Sequence, residues 1–322
     1  MKRYLSLLLT LFLVFSSFNF NVSAEETGTN VSGIIKENTN WTKEGSPYHL
    51  TGDIQIANDI TLTIEPGVVV KGENNRIRVY GNLKAVGKTD SEILFDHVNI
   101  DPGESNAGRH SIHIEHADIK GGSLYRPTGY AVYGSLILRD SRLFSLQSEL
   151  YLWYPTSDVY IEGNAFIYSK GIDVGTSNNV KVYITNNLFS NYSDYAVENW
   201  ARYDTSETIV SKNSFYGDNN TNTYEDTLVL RPGYDMAKMT AANNYWGTTD
   251  ENFIEQMIFD KNDDLASADY INYQPYLQQP DPETPVLDIE NPVVTGVENN
   301  HFYNTSKTIT FNDGLAKIYG IE

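Results

Sequence analysis

One short pattern recurs along the middle of the chain and restricts its fold more than any other feature. Each copy is an alternating stretch, then a pair of mostly polar residues, then a large apolar side chain. The copies begin 24, 23, 23, 26 and 31 residues apart, at residues 114–119, 138–143, 161–166, 184–189, 210–215 and 241–246. Residues 95–100 form a weaker copy. A period this short predicts a solenoid in which each coil packs only on its neighbours.

The polar pair in this pattern predicts a ladder of asparagine side chains inside one turn of every coil. A polar residue buried at the same place in successive coils can hydrogen-bond to its copies above and below. The residues that fit the ladder are Asn164, Asn187, Asn213 and Asn244. The large apolar side chains two residues later would stack beside them in the core, and these are Phe166, Phe189, Phe215 and Trp246.

Further motifs flank the repeats. On one side are SPYHLTGDI (residues 46–54), LTIEPGVVVK (62–71) and GNLKAVG (81–87), and on the other NNYWGT (243–248) and YQPYL (273–277). With these motifs the chain resembles the secreted right-handed parallel β-helix proteins of bacteria, which share the pectate-lyase-like superfold. The resemblance covers about residues 41–277. It implies an all-β chain that forms a single-stranded right-handed parallel β-helix, a solenoid with capped ends.

The resemblance also divides the chain into parts. Residues 25–45 would form an N-terminal lead-in or cap, and residues 46–277 the β-helix with its C-terminal cap. Within that cap, the helical pattern of residues 251–259 would lie across the open strand edges. Residues 278–290 are acidic and rich in Pro, which predicts a linker. Residues 291–322 resemble the opening strands of bacterial immunoglobulin-like modules, and because such a sandwich needs about 100 residues, we expect a truncated module.

The beginning of the chain has the composition of an export signal. Lys2 and Arg3 precede an apolar run, and small residues follow that run up to Ala24. This pattern predicts that residues 1–24 are a secretory signal peptide. We therefore expect a secreted or extracellular protein. Association with the cell surface is compatible with this expectation. The net charge of −19 disfavours nucleic acid as a partner. No later stretch is long and apolar enough for membrane insertion, and with no cysteine the fold needs a large regular core.

Strand alternation assigns side chains to the core or the surface, and equivalent outward side chains on adjacent coils lie about 4.8 Å apart. In the strand before the ladder, Glu115, Arg139 and Glu162 would form an ionic stack of small energetic value. The nearby histidines are interpreted as ordinary surface and ladder residues, so no metal site is predicted at His97, His110, His113 and His116. Residues 260–264 lack the Gly and Glu of a calcium loop and are interpreted as a polar turn.

A second strand in each coil predicts a surface with richer chemistry. Alternation turns aromatic, acidic and basic side chains outward on adjacent coils, and further ones follow in an adjoining loop. Flat rings can stack on sugar faces, and Arg can hold an acidic group in a bidentate manner. The candidate substrate-binding residues are Tyr151, Trp153, Trp200, Arg202 and Tyr203. The candidate catalytic residues are Asp173, Glu198 and Arg231.

Three functions are compatible with this surface. We expect a secreted surface or matrix protein that binds polysaccharide or a cell-envelope glycan without catalysis. The alternative is a polysaccharide lyase or glycoside hydrolase acting on an acidic glycan. Paired carboxylates about 5 Å apart can act as acid and base or nucleophile, and in a lyase Ca²⁺ would neutralise the uronate. The third is a structural spacer or adhesin, and the pattern leaves enzyme status and oligomeric state open.

Overall fold

The computed structural model describes residues 28–103, 110–126, 134–153, 155–175, 180–201, 207–217, 226–286, 293–295 and 310–312. Parallel strands form a β-solenoid of about seven turns. Helix is almost absent from the described residues, which confirms the prediction of an all-β solenoid. The right-handed winding stays a prediction.

Each regular coil contributes three strands, numbered here in chain order. A nine-stranded sheet contains β2 (Thr39–Trp41), β4 (Thr61–Ile64), β7 (Asn82–Val86), β10 (His110–Glu115), β13 (Gly134–Arg139), β16 (Val159–Glu162), β19 (Lys181–Thr185), β22 (Glu207–Ser211) and β25 (Met239–Thr240). A twelve-stranded sheet contains β1 (Thr29–Ile35), β3 (Tyr48–Ile56), β5 (Val69–Lys71), β6 (Arg76–Val79), β8 (Ile93–Asp96), β9 (Asn99–Pro102), β11 (Ala117–Lys120), β12 (Ser123–Leu124), β14 (Arg142–Phe144), β17 (Ala165–Ile167), β20 (Leu188–Ser190) and β23 (Ser214–Tyr216). A five-stranded sheet contains β15 (Leu150–Trp153), β18 (Lys170–Gly175), β21 (Ser193–Asn199), β24 (Leu228–Leu230) and β26 (Ile258–Phe259).

The long strand β3 links two sides of the solenoid. Its first residues pair with β5, whereas its last three pair with β6. The side that begins with β6 continues through β9 and β12, and backbone bonds at Tyr125 then join it to β15. Alternating apolar residues build these strands, since buried and half-buried side chains alternate strictly along β10 and β13.

The asparagine ladder is confirmed. Asn164, Asn187, Asn213 and Asn244 are fully buried. Each Oδ1 accepts the backbone N–H of the ladder residue one coil earlier, at 2.8–3.0 Å, and from Asn187 onward it also accepts that residue's Nδ2. Ser141 extends the ladder because its Oγ accepts the N–H of Ala117 at 3.1 Å.

The residue before each ladder position explains why the repeat contains a pair. These residues form what we call the first corner, where φ lies between 46° and 68°: His116, Asp140, Gly163, Asn186, Lys212 and Asn243. This left-handed conformation is costly for most side chains and is tolerated best by Gly, Asn and Asp. The pair is therefore one residue that turns the chain and one that bonds the coils together.

The core beside the ladder contains the predicted aromatic stack. The ring centroids of Phe166 and Phe189 are 4.8 Å apart, those of Phe189 and Phe215 5.5 Å, and those of Phe215 and Trp246 5.2 Å. Tyr273 then meets Trp246 edge to face at the end of the solenoid. The interpretation of Trp246 as a bulky end to this core is confirmed by its 2% exposure.

The alignment of residues 95–100 with the other copies is wrong. Phe95 pairs in register with Ile119, five positions beyond the start of the aligned copy at residue 114. His97 lies in a second corner, where the left-handed residues are His97, Gly121, Ser145, Tyr168 and Asn191. Two corners of each coil have the same backbone conformation, so their short sequence patterns resemble each other.

Both ends of the solenoid carry additional structure. A short helix, α1 (Glu251–Gln256), is capped by the Asp250 side chain and buries Ile254. The predicted helical stretch ends earlier than residue 259, because Ile258 and Phe259 pair with β24. At the other end β1 pairs with β3. Among the described residues, no helix is long and apolar enough to cross a membrane.

The segment predicted as a linker contacts the solenoid over part of its length. Thr284 is 4% exposed and donates to the backbone oxygen of Lys212 at 2.5 Å. Asp281 accepts from the Asn186 side chain at 3.0 Å. Farther along, β27 (Val293–Thr295) and β28 (Thr310–Asn312) form an antiparallel pair, and the immunoglobulin-like assignment of this region stays a prediction.

Candidate functional site

The five-stranded sheet places the predicted site residues in rows. Asp173 pairs in register with Tyr151 on one side and with Glu198 on the other. Asn199 turns into the interior, where its Nδ2 donates to Thr208 Oγ1 and to the backbone oxygen of Lys238, both at 2.9 Å. Because this inward amide is bonded, Glu198 can lie on the other face of the strand, in line with Tyr151 and Asp173. We call this line of side chains the outer row.

Three aromatic rings form a compact cluster at the edge of this row. Tyr151 and Trp153 are half-buried, and their rings stack at 5.7 Å with 9° between the planes. Trp200 packs on Trp153 with centroids 4.5 Å apart. Gly175 makes room for it, since a Cβ there would lie 2.6 Å from the Trp200 ring.

Trp200 is the substrate-binding candidate whose surroundings differ most from the expectation. The sequence predicts it in a loop, beside the exposed rings, but the structure leaves it only 7% exposed. Tyr234 meets it edge to face at 5.8 Å, and the Arg231 guanidinium lies 5.9 Å from the ring centroid. Trp200 is therefore a buried side chain that packs against both rings of the Tyr151–Trp153 pair. Arg202 and Tyr203 lie outside the described residues.

Glu198 and Arg231 form a bidentate ion pair. Arg231 Nε donates to Glu198 Oε1 at 2.8 Å, and Nη2 donates to Oε2. The Glu198 side chain is 6% exposed, whereas that of Arg231 is 41% exposed. Two parallel bonds to one carboxylate fix both groups in orientation.

Asp173 has a different partner, the phenol of Tyr195, which donates to its carboxylate. Burial raises the pKa of Asp173 to about 6, the negative charge of Glu198 adds to the rise, and the Tyr195 hydrogen bond opposes it. Burial also raises the pKa of Tyr151 to about 12, with the charge of Asp173 as the next cause.

Alternation in the sequence missed Tyr195 because an irregularity places it beside Asp173. Lys170 and Ile172 are two positions apart, but their partners Ser193 and Val197 are four positions apart. The extra residues shift Tyr195 out of the alternating register. The spacing of 26 residues between the copies at 184 and 210, compared with 23 before it, is the sequence signal of this insertion.

The arrangement can bind apolar faces and exchange hydrogen bonds, but it does not fit a calcium ion. Calcium takes six to eight oxygen ligands. Here the Glu198 carboxylate is engaged by Arg231 and the Asp173 carboxylate by Tyr195. The calcium-dependent lyase expectation therefore finds no ligand set among the described residues of this sheet.

Comparison with other proteins adds no assignment. No protein-family model matches the chain, and no match is found among curated proteins or among solved structures. The parallel β-solenoid therefore rests on the strand pairing, and the resemblance to secreted pectate-lyase-like proteins stays a prediction.

Proposed function

We propose that this protein is exported and binds a neutral polysaccharide along the five-stranded sheet, without cleaving it. The observation that carries the proposal is the half-exposed pair of Tyr151 and Trp153. Their rings stack nearly parallel at 5.7 Å, and the half-buried pair leaves part of its aromatic surface open beside a row of hydrogen-bonding groups. Such a surface suits the C–H face of a sugar ring, while its hydroxyls meet polar neighbours.

The charges of the sheet favour a neutral glycan over an acidic one. Three cations in and beside the described part of the sheet are already in ion pairs: Arg231 with Glu198, Arg126 with Glu149, and Lys170 with Asp194. A uronate or sulfate would have to displace one of these carboxylates. It would also approach the carboxylate of Asp173, which has no cation among the described residues as a hydrogen-bond partner and repels a like charge when ionised.

Hydrolysis is a second candidate, favoured by the raised pKa of Asp173. A carboxylic acid with a pKa of about 6 can hold a proton for a glycosidic oxygen, while a neighbouring carboxylate stays ionised. Against this candidate, Asp173 is 7% exposed and Glu198 5% exposed. A general acid must reach the leaving oxygen directly or through one water, so binding without cleavage is the better-supported function.

A glycan panel tests the proposal. Full-length protein is compared with Trp153→Ala and Tyr151→Ala by affinity electrophoresis on neutral and acidic polysaccharides, with reducing ends and unsaturated-uronate absorbance measured in parallel. The matched control is Tyr160→Ala, which removes one ring of another stacked outward pair, Tyr160 and Tyr183, 5.1 Å apart on the nine-stranded sheet.

We expect retardation by a neutral polysaccharide that falls at least about tenfold in both site variants and is unchanged in Tyr160→Ala. Cleavage that disappears in Asp173→Asn would replace the proposal with hydrolysis. No retardation on any glycan, or equal losses in all three variants, would leave a structural spacer or adhesin.

A further inference from the structure

A cluster of metal-ligating side chains lies on the first corner, away from the five-stranded sheet. Glu115 ends β10, and His116 and Asp140 occupy the same corner position on consecutive coils. One ligand atom from each residue lies within 4.8 Å of the others. His116 Nε2 and Glu115 Oε1 are 3.9 Å apart. The solenoid thus brings together three side chains, although Asp140 is 24 residues after His116 in the sequence.

The backbone holds two of these side chains in the same orientation. His116 and Asp140 have φ values of 48° and 46°, so both side chains leave the corner from the same left-handed conformation. Gly163 follows at the same position of the next coil. A Cβ there would lie 2.5 Å from Asp140 Oδ1, so the glycine leaves space for the carboxylate.

The arginine beside the cluster is bonded to a carboxylate outside it. Arg139 is adjacent, but its Nε is bound to Glu162 Oε2 at 2.7 Å. Within the described part of the chain, the Asp140 carboxylate accepts no hydrogen bond and forms no ion pair. His113 Nε2 lies 3.2 Å from Glu115 Oε2 and can orient that carboxylate, as outer partners of metal ligands commonly do.

We propose that Glu115, His116 and Asp140 form a binding site for a divalent transition metal of the zinc class. One imidazole nitrogen and two carboxylates suit such an ion, whereas calcium prefers oxygen ligands alone. Bonds of about 2.1 Å at tetrahedral angles place ligand atoms about 3.4 Å apart. Rotation of these three side chains, of which Glu115 and His116 are half-buried and Asp140 is exposed, would close the observed separations to that value, with water in the fourth position.

This proposal departs from the expectation that the histidines here hold no metal. Strand parity does not relate His113 to His116, because His116 lies in the corner, where side chains do not alternate. The equivalent partner of His116 is Asp140 on the next coil, because both residues have the left-handed conformation.

Cobalt binding tests the proposal, since Co²⁺ in a four-coordinate site has strong visible absorbance. The metal-free full-length chain is titrated with CoCl₂, and Zn²⁺ is then added to displace the cobalt. The variants are His116→Asn, which retains a residue type suited to the left-handed conformation, and Glu115→Gln, which lies at a strand end. The control is His97→Asn, because His97 has φ 51° in the second corner and a single carboxylate partner, Asp96, at 2.6 Å.

We expect one equivalent of Co²⁺ that Zn²⁺ displaces and Ca²⁺ does not. Affinity falls at least about tenfold in His116→Asn and in Glu115→Gln and is unchanged in His97→Asn, with circular dichroism showing each variant folded. Absence of the absorbance overturns the proposal. Equal losses in His97→Asn and His116→Asn, or displacement by Ca²⁺, would show only general surface binding. An unfolded His116→Asn leaves Glu115→Gln to decide.

Discussion

Asn187 on the ladder and Glu198 on the five-stranded sheet are both buried polar side chains placed between coils. Asn187 is fully buried, and the next residues of its column are Asn164 and Asn213. Glu198 is 5% exposed, with Asp173 as its register partner on one coil and Val229 on the other. The ladder thus repeats one residue, whereas the sheet changes residue at each coil.

The difference follows from hydrogen-bonding capacity. An amide side chain carries both donors and an acceptor, so a column of identical amides satisfies itself. A carboxylate only accepts, so a column of carboxylates needs donors from elsewhere. Arg231 supplies them to Glu198, and Tyr195 supplies one to Asp173. A ladder can therefore extend for as many coils as the chain repeats. The acidic row, which consists of the carboxylates of Asp173 and Glu198, ends after two coils.

Replacing the middle of the ladder should produce the largest loss of stability. Asn187→Ala removes the acceptor of the Asn164 N–H and Nδ2 groups, which leaves two buried donor hydrogens unsatisfied, and it also removes a bond to the backbone oxygen of Ile161. Each such group costs about 1–3 kcal/mol. We expect the free energy of unfolding to fall by about 3–5 kcal/mol, measured by urea denaturation with an unchanged slope.

The neighbouring residue provides the control. Asn186→Gly keeps a residue suited to φ 54° and removes only bonds to the partly exposed tail. Its cost should stay below about 1 kcal/mol. If Asn187→Ala were no more costly than this control, the ladder would not be what holds the coils together.

The acidic row should respond to pH, and the ladder should not. The pKa of an aspartate carboxyl is ordinarily 3.8, whereas the pKa of Asp173 in the folded chain is about 6. Between these values the folded chain keeps the proton that the unfolded chain releases, so this group lowers stability as pH rises from about 4 to 6. Asp173→Asn removes that loss. The variant should gain up to about 3 kcal/mol relative to the wild type across this window.

Urea denaturation of both proteins at several pH values between 4 and 7 measures this gain. Asp118→Asn is the control, because the Asp118 carboxylate is partly exposed and bonded to Arg142. It should show no comparable gain. A constant difference between wild type and Asp173→Asn across the window would mean that Asp173 is ionised in the folded protein throughout.

The same contrast determines what the sequence can predict. Asn164, Asn187, Asn213 and Asn244 are identified correctly because each has the same surroundings in every coil, so the period reveals the environment. Alternation from Leu150, Ile172 and Val197 also groups Tyr151, Asp173 and Glu198 in one row, as the strand register has them. The expected outward exposure of Asp173 and Glu198 is not observed, because both side chains are buried. Repetition thus predicts position wherever the coils are equivalent.

Partners between unlike coils cannot be predicted this way. Tyr195 reaches Asp173 through two inserted residues, and Trp200 lies buried because Gly175 on the previous coil leaves space for it. The cluster of His116 and Asp140 cannot be predicted from strand alternation, because side chains in a corner do not alternate. These features depend on differences between coils, which a repeat pattern averages out.

Removing the donor of the acidic row should have an intermediate effect. Arg231→Met keeps an apolar stem near Trp200 and Tyr234 but leaves Glu198 buried without its cation. Breaking a fully buried pair costs about 3–5 kcal/mol. Because Arg231 is 41% exposed and screened by water, we expect a loss of about 1–3 kcal/mol in urea denaturation.

A double-mutant cycle separates charge from packing. Glu198→Gln added to Arg231→Met removes the buried charge, so it should recover part of the loss. Arg139→Met breaks a pair whose side chains are 38% and 31% exposed, and it should cost less than about 1 kcal/mol. If the Glu198→Gln change added to the loss instead, packing around Arg231 would dominate over its charge.

The smallest effect is expected where the tail covers the outside of the first corner. Thr284→Val keeps the side-chain shape but removes the hydroxyl that donates to the backbone oxygen of Lys212. That oxygen lies at the edge of the solenoid, where water can replace the donor, so unfolding should change by no more than about 1 kcal/mol. Limited proteolysis after residue 277 should nevertheless quicken about fivefold, because local detachment of the tail responds to the same energy.

Glu283→Gln is the control for this change, because Glu283 is 75% exposed and lies 3.7 Å from the Lys212 ammonium group. It should leave the proteolysis rate unchanged. Equal rates in the two variants would show that the tail is held by something other than the hydroxyl. A faster rate for Thr284→Val alone would show that the outside of the corner behaves like the ladder: a neutral side chain bonded to the backbone of a coil contributes more than a charge at the surface.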